Sequence, residues 1–301
     1  MTRAVVFAYH NVGVRCLKVL LAHDVDVALV VTHEDNPNER IWFASVAETA
    51  DRYGIPFITP DNPNTTDLVA RIAGLKPDFL FSFYYRQLLK APLLATAARG
   101  AYNMHGSLLP KYRGRVPVNW AVLHGERETG ATLHRMVEKA DAGEIAVQQA
   151  VPILPDDTAQ EVFDKVTLAA EMALDRVLPA LVAGTAPHLV QDLSRGAYFG
   201  GRKPEDGRID WSRPAVEIHN LVRAVAPPYP GAFSDTAKGL LRVLQTLPTS
   251  DQTAGSPLLF ASAGSLLAGC GDGRVLRLLA AELDGEALTA ERLGSETISL
   301  T

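Results

Sequence analysis

Val5-Val6-Phe7-Ala8-Tyr9 leads through Val14-Arg15-Cys16-Leu17-Lys18-Val19-Leu20-Leu21-Ala22 into Val27-Ala28-Leu29-Val30-Val31, and this order decides the fold. Short, almost wholly apolar runs rich in valine read as strands buried on both faces. The segment between the first two has helical spacing, so the unit is β-α-β with parallel strands. The pattern continues with a helix over Ser45–Tyr53, a short strand at Pro56-Phe57-Ile58, a helix over Asp67–Ala73 and a buried strand at Phe79-Leu80-Phe81-Ser82-Phe83. Ala101-Tyr102-Asn103-Met104-His105 is the next expected strand, followed by Ala131–Met136 and Ile145–Val151. From Thr158 to Leu181 the apolar positions Val162, Val166, Ala170, Ala173, Val177 and Leu181 recur at helical spacing.

Beyond residue 200 the texture changes. Gly200-Gly201-Arg202-Lys203-Pro204-Glu205-Asp206-Gly207 is rich in turn residues and reads as a linker. One helix is expected over Pro214–Ala226, then short strands at Leu240–Thr246, Leu258–Ala261 and Val275–Leu279, with a tight hairpin at Gly271-Asp272-Gly273. The expected fold is α/β: a Rossmann-like, doubly wound, mostly parallel sheet over residues 1–200 and a smaller OB-like β-barrel domain over residues 201–301.

Composition narrows the function. The 301 residues are 47% hydrophobic with a net charge of −5, which suits a globular enzyme and lacks the basic stripe of a nucleic-acid binder. No apolar run is long enough to span a membrane, and the first residues lack a signal peptide's apolar stretch. Cys16 and Cys270 form no ligand spacing, so free thiols and a cytoplasmic location are expected. The first strand leads into Ala8-Tyr9-His10-Asn11-Val12-Gly13 without GxGxxG, against a dinucleotide site. No GxSxG elbow occurs. No ligand-spacing motif supports a zinc site from His105, His134 and Asp141, and no metal is expected.

Asn103 and His105 lie two apart at the end of an expected strand, so both side chains point to one side. A carboxamide can donate to a carbonyl oxygen that is becoming an oxyanion, and an imidazole can move the proton of an attacking or leaving amine. Such an imidazole needs a carboxylate partner, and Asp141, in the turn Lys139-Ala140-Asp141-Ala142-Gly143, is the best candidate. Read singly, an Asn-x-His pair also suits a structural hydrogen bond and an Asp-x-Gly a turn.

The run Asn103-Met104-His105-Gly106-Ser107-Leu108-Leu109-Pro110-Lys111-Tyr112-Arg113-Gly114, with Thr129-Gly130-Ala131-Thr132-Leu133-His134-Arg135-Met136 and Ala140-Asp141-Ala142-Gly143-Glu144 downstream, resembles the two signature blocks of the folate-dependent formyltransferases. Within that family the chain is most similar to the branch that formylates UDP-4-amino-4-deoxy-L-arabinose, found as a domain of the bifunctional polymyxin-resistance protein. Phe81-Ser82-Phe83-Tyr84-Tyr85-Arg86, Asp210-Trp211 and His219–Ala226 carry that likeness further along the chain. The resemblance implies transfer of a formyl group from 10-formyltetrahydrofolate to an amino-sugar nucleotide, serving lipid A modification and polymyxin resistance. It implies that Asn103 and His105 hold a tetrahedral oxyanion while Asp141 orients His105. It places the folate against Phe83, Tyr84, Arg86, Leu88, Arg115 and Val137, Glu138, Lys139, Ala140 and Asp141. Ser107, Lys111, Tyr112 and Arg113 then fall to the acceptor, the cations meeting diphosphate or the folate's glutamate. The bifunctional protein continues into a dehydrogenase domain, whereas this sequence ends at Thr301, so a stand-alone formyltransferase is expected.

Methionyl-tRNA formyltransferase shares the chemistry but carries a longer basic insertion where this sequence has the net acidic Thr32-His33-Glu34-Asp35-Asn36-Pro37-Asn38-Glu39-Arg40. Formyltetrahydrofolate hydrolase adds a regulatory domain. A folate- or sugar-nucleotide-binding module without turnover would have no need of Asn103, His105 and Asp141 together.

Overall fold

A computed structural model describes residues 1–37, 41–253 and 257–300. Residues 38–40 of the acidic loop lie outside it. The chain divides into two compact units, residues 1–117, 128–151 and 163–200 forming one and residues 118–127, 152–162 and 201–301 the other.

The first unit is built from β1 (Arg3–Ala8), α1 (His10–Ala22), β2 (Asp26–Val31), α2 (Val46–Arg52), β3 (Phe57–Ile58), α3 (Thr66–Leu75), β4 (Phe79–Phe83), α4 (Ala91–Leu94), β5 (Gly100–His105), β6 (Arg113–Gly114), α5 (Pro117–Leu123), β7 (Glu128–Arg135), β8 (Ile145–Pro152), α6 (Ala159–Ala183) and β9 (Tyr198–Phe199), α5 and α6 running on into the second. Its main sheet has the order β3-β2-β1-β4-β5-β7-β8. The strands from β3 to β5 are parallel, so each must be covered on both faces, which explains why Val5, Val6, Phe7, Leu80, Phe81 and Phe83 are wholly buried. The order reverses between β1 and β4, which makes this a doubly wound sheet. Ser45 and Thr65 cap α2 and α3 by accepting the Glu48 and Leu68 backbone N–H groups.

β7 breaks the parallel run. It lies antiparallel to β5, pairing Tyr102 with Arg135, Asn103 with His134 and His105 with Thr132. A small parallel pair, β6 with β9, lies off the sheet.

The second unit holds α7 (Ala215–Ala224), β10 (Ala232–Thr236), β11 (Gly239–Gln252), β12 (Leu258–Ser262), β13 (Ser265–Gly269), β14 (Arg274–Leu283), β15 (Glu286–Ala287), α8 (Ala290–Leu293) and β16 (Ile298–Ser299). Its barrel-like sheet runs β10-β11-β14-β13-β12-β16, and its paired strands are antiparallel. The expected hairpin at 271–273 joins β13 to β14. The core gathers around the fully buried Trp211, with Leu241, Val243, Leu259 and Leu276. Two segments expected in the first domain group with this unit, and buried polar groups explain why. Arg223 donates to the carbonyls of Val122 and Asp157, Asn119 donates to that of Ala224, and His219 Nε2 donates to that of Pro155. Such donors are costly to leave unpaired once buried.

Candidate active site

Asn103 and His105 project from the same face of β5, with their cross-strand partners His134 and Thr132 beside them. The loop between β7 and β8 folds back over this face and delivers Asp141, whose Oδ1 lies 3.7 Å from His105 Nδ1 and 3.4 Å from His134 Nε2. The structure therefore brings Asp141 to His105 and joins Asn103 to the group through His134, whose Nε2 is 3.2 Å from Asn103 Nδ2.

His105 is buried and held by its other nitrogen. Nε2 donates to the carbonyl of Tyr112 at 2.8 Å, so in the neutral ring the lone pair is on Nδ1, toward Asp141. Ring orientation thus comes from a backbone carbonyl, while Asp141 faces the working nitrogen from beyond hydrogen-bond range. Burial pushes the His105 pKa below its ordinary 6.5, against the opposing pull of Asp141 and the Tyr112 carbonyl. For Asp141, burial alone would push the carboxyl up. His105 and the Gly114 N–H, which donates to Oδ2 at 2.8 Å, are among the groups that outweigh it and hold the carboxyl well below the usual carboxylate range.

The scaffold around these groups is polar and closely tied. Thr132 Oγ1 donates to the Ser107 carbonyl at 2.6 Å and accepts the Leu109 N–H at 3.1 Å. Gln148 Nε2 reaches both Thr132 Oγ1 and the Leu109 carbonyl at 2.9 Å. The loop that presents the Tyr112 carbonyl is thereby fastened to β7 and β8. Gln191 performs the same task for the other loop, donating to the carbonyls of Asp141 and Gly143 at 3.0 and 2.6 Å. A Cβ on Gly143 would overlap the Arg135 carbonyl oxygen, so only glycine lets this loop close.

The remaining expected site residues divide. Tyr84, Arg86 and the exposed Leu88 follow β4, whereas the Phe83 side chain is wholly buried in the sheet, stacked on Phe81. Val137, Glu138 and Lys139 are exposed and Ala140 half-buried in the loop that carries Asp141. Lys111 and Arg115 are exposed; Arg113 between them is buried and donates to the carbonyls of Leu193 and Gly196. Arg113 is therefore turned inward, away from any acceptor. Ser107 is buried too, its hydroxyl donating to the Lys111 carbonyl at 2.6 Å, and Tyr112 stacks on Phe199.

His134, the Tyr112 carbonyl and the Gly114 N–H were not among the expected site groups. The two backbone groups leave no mark in a sequence, and His134 shows only as a residue of the second signature block and as a member, with His105 and Asp141, of a metal set that no ligand spacing supports. Among the described residues no group of three or more His, Cys, Asp or Glu could hold a metal ion, and no helix is long and apolar enough to cross a membrane.

Residues 14–178 match the formyl transferase family and residues 202–295 its C-terminal domain. Among solved structures, the chain is similar to an N-formyltransferase from Helicobacter canadensis in complex with folinic acid and dTDP-3-aminofucose. The two share 20% identity over 92% of this chain and 99% of that one, with a TM-score of 0.71. A 4-N formyltransferase from Francisella tularensis is 21% identical over 78% and 92% of the two chains, with a TM-score of 0.64. HypX from Aquifex aeolicus, in complex with tetrahydrofolic acid, is 18% identical over 97% of this chain and 47% of its own length, with a TM-score of 0.64. At these identities the likeness establishes the fold.

Proposed function

The chain belongs to the formyl transferase family, and on that premise we propose that it moves a formyl group from 10-formyltetrahydrofolate to the amine of an amino-sugar nucleotide. The observation that carries this reading is the meeting of His105 and Asp141 over the face of β5 that also bears Asn103. Support for a sugar acceptor comes from the solved relatives named as sugar-acting formyltransferases or holding a dTDP-sugar. The sequence likeness favours UDP-4-amino-4-deoxy-L-arabinose as the acceptor, and with it the reading of a cytoplasmic role in lipid A modification and polymyxin resistance. Residues 1–200, apart from the segments 118–127 and 152–162 that group with the barrel, are assigned the catalytic domain and residues 201–301 the companion barrel.

The residues present fit a bound folate. Leu88, Val116 and Val137 are apolar yet 72%, 44% and 44% exposed, and they lie in the segments that follow β4, β6 and β7. A flat, polar-edged ring system needs such apolar walls together with backbone hydrogen-bonding groups. The chemistry that 10-formyltetrahydrofolate supplies when bound is an activated formyl carbon on a nitrogen able to leave.

His105 Nδ1, unprotonated because its Nε2–H is fixed on Tyr112, takes the proton of the attacking amine and then gives it to the folate nitrogen as the bond from that nitrogen to the formyl carbon breaks, releasing tetrahydrofolate and resetting the neutral ring. Asp141, held as a carboxylate, stabilises the imidazolium that results. Asn103 donates an N–H toward the formyl oxygen as negative charge grows there. Lys111 and Arg115 are the exposed cations placed to meet diphosphate or glutamate carboxylates.

The test is release of tetrahydrofolate from 10-formyltetrahydrofolate with UDP-4-amino-4-deoxy-L-arabinose as acceptor, with charged methionyl-tRNA in parallel. Turnover with the sugar nucleotide alone is the expected result. Turnover with tRNA alone would keep the chemistry and overturn the acceptor. Turnover with neither, nor with a panel of other amino-sugar nucleotides, would overturn the reading.

A further inference from the structure

His134 is outside the three residues given a chemical role, yet it touches two of them. It faces Asn103 across the β5–β7 ladder with its side chain 2% exposed. Its Nδ1 lies 3.0 Å from the carbonyl oxygen of Arg135. A carbonyl can only accept, so Nδ1 carries a proton, and the neutral ring has its lone pair on Nε2. That nitrogen is 3.2 Å from Asn103 Nδ2 and 3.4 Å from Asp141 Oδ1. Toward the carboxylate a lone pair gains nothing; toward the amide N–H it is an acceptor. A proton on Nε2 would reverse this, pairing the ring with Asp141 and repelling the Asn103 amino group. In the neutral ring the 3.2 Å approach of that amino group is a hydrogen bond to Nε2.

The consequence falls on Asn103. A carboxamide turns about a broad, two-fold torsion, and its oxygen and nitrogen ends exchange places at little cost unless a neighbour distinguishes them. Turned over, the Asn103 oxygen would meet the Nε2 lone pair. The backbone carbonyl of Arg135 therefore fixes the tautomer of His134, and His134 fixes the carboxamide. One Asn103 N–H is held on the ring and the second is left with a defined direction. An oxyanion donor is effective in proportion to how well it is aimed before the charge develops.

We propose that His134 is a positioning residue for the transfer, keeping the Asn103 amino group turned to the reaction centre; this rests on the reading above. Two kinds of measurement test it. In ¹H–¹⁵N spectra of the resting protein, the Asn103 carboxamide protons are expected to be shifted and slow to exchange. They should remain so in His134→Gln, whose Oε1 offers an acceptor near the position of Nε2, and become solvent-like in His134→Leu. Should His134→Leu fail to fold, His134→Phe keeps the ring volume without the nitrogen. Carboxamide protons indifferent to a folded variant without the acceptor overturn the proposal, whether or not an acceptor sugar has been found.

In turnover, His134→Leu is expected to lose at least about tenfold in kcat with KM for the folate within about twofold, and His134→Gln to recover most of the loss. Added to Asn103→Ala, His134→Leu should cost nothing further, because it acts through that side chain. Losses that multiply in the double variant, or wild-type kcat in His134→Leu, overturn the proposal. A wild-type protein that formylates no amino-sugar nucleotide would instead overturn the functional reading and leave the spectra to decide the hydrogen bond.

Discussion

Replacing Asp141 with asparagine removes one charge and little else. The single oxygen of asparagine can still accept the Gly114 N–H, so the loop keeps its anchor. The new amino group then faces His105 Nδ1, where it stabilises the neutral ring instead of the imidazolium. The carboxylate lies 3.7 Å from that nitrogen. At an effective dielectric constant of about 20, two unit charges at this distance attract by about 4 kcal/mol. If the proton is half transferred at the top of the barrier, about 2 kcal/mol of this acts on the rate. The expected loss in kcat is therefore between about 30-fold and about 1,000-fold. The pH profile supplies the sign. Burial lowers the His105 pKa and Asp141 opposes that lowering, so removing the carboxylate lowers it further. The acid limb of the rate, lost as His105 takes up a proton, should move to lower pH in Asp141→Asn. The protonation of the acceptor amine is common to both enzymes and does not contribute to the difference. Steady-state formyl transfer between pH 5 and 9 is the assay. A variant within threefold of wild-type kcat, or an acid limb displaced to higher pH, would refute the placement of Asp141 as partner of the working nitrogen.

Asn103→Ala should lower kcat at least about a hundredfold with little change in KM, since the lost donor acts on charge that develops only during transfer; single-turnover kinetics separates this from slow product release. Arg113→Met should destabilise the fold by about 2 kcal/mol or more, because the carbonyls of Leu193 and Gly196 lose their buried donor; chemical denaturation reads the difference. Lys111→Ala, two residues away and exposed, should raise KM for the sugar nucleotide and shift the unfolding midpoint less than Arg113→Met does. Both thiols should resist alkylation in the native protein and react after denaturation: burial raises Cys16 far above its ordinary range and pushes Cys270 up to about 12.

The parallel part of the fold was legible because a strand covered on both faces is almost wholly apolar, and Phe79–Phe83 is apolar at every position but Ser82. The Asn103 and His105 pair was legible from period-2 spacing. Strand direction was not. Nothing in Glu128–Arg135 distinguishes a parallel neighbour of β5 from an antiparallel one, yet the antiparallel register is what sets His134 opposite Asn103. The three cations Lys111, Arg113 and Arg115 look alike in sequence. Only the return of the chain at residues 193–196 separates the buried one from the two exposed. For the same reason the grouping of residues 118–127 and 152–162 escaped notice, as it depends on donors from Arg223, His219 and Asn119.

Backbone conformation around the site argues for preorganisation. Tyr84, Tyr112, Val116 and Asp141 have φ values of 59°, 54°, 47° and 54°, in the left-handed region that suits glycine and penalises a β-branched residue such as valine most. Each such residue costs about 1–3 kcal/mol, so the loops after β4, β5 and β7 would relax if nothing restrained them. For the loops after β5 and β7 the restraints are the contacts through Thr132, Gln148 and Gln191. What the strained conformations secure is the aim of two groups that local propensity would not place: the Tyr112 carbonyl on His105 Nε2, and the Asp141 carboxylate over Nδ1. Stability from the polar scaffold is thereby converted into a fixed tautomer and a charge in position before substrate arrives. That is the condition under which electrostatic stabilisation of a transfer reaction requires no reorganisation when the reaction occurs.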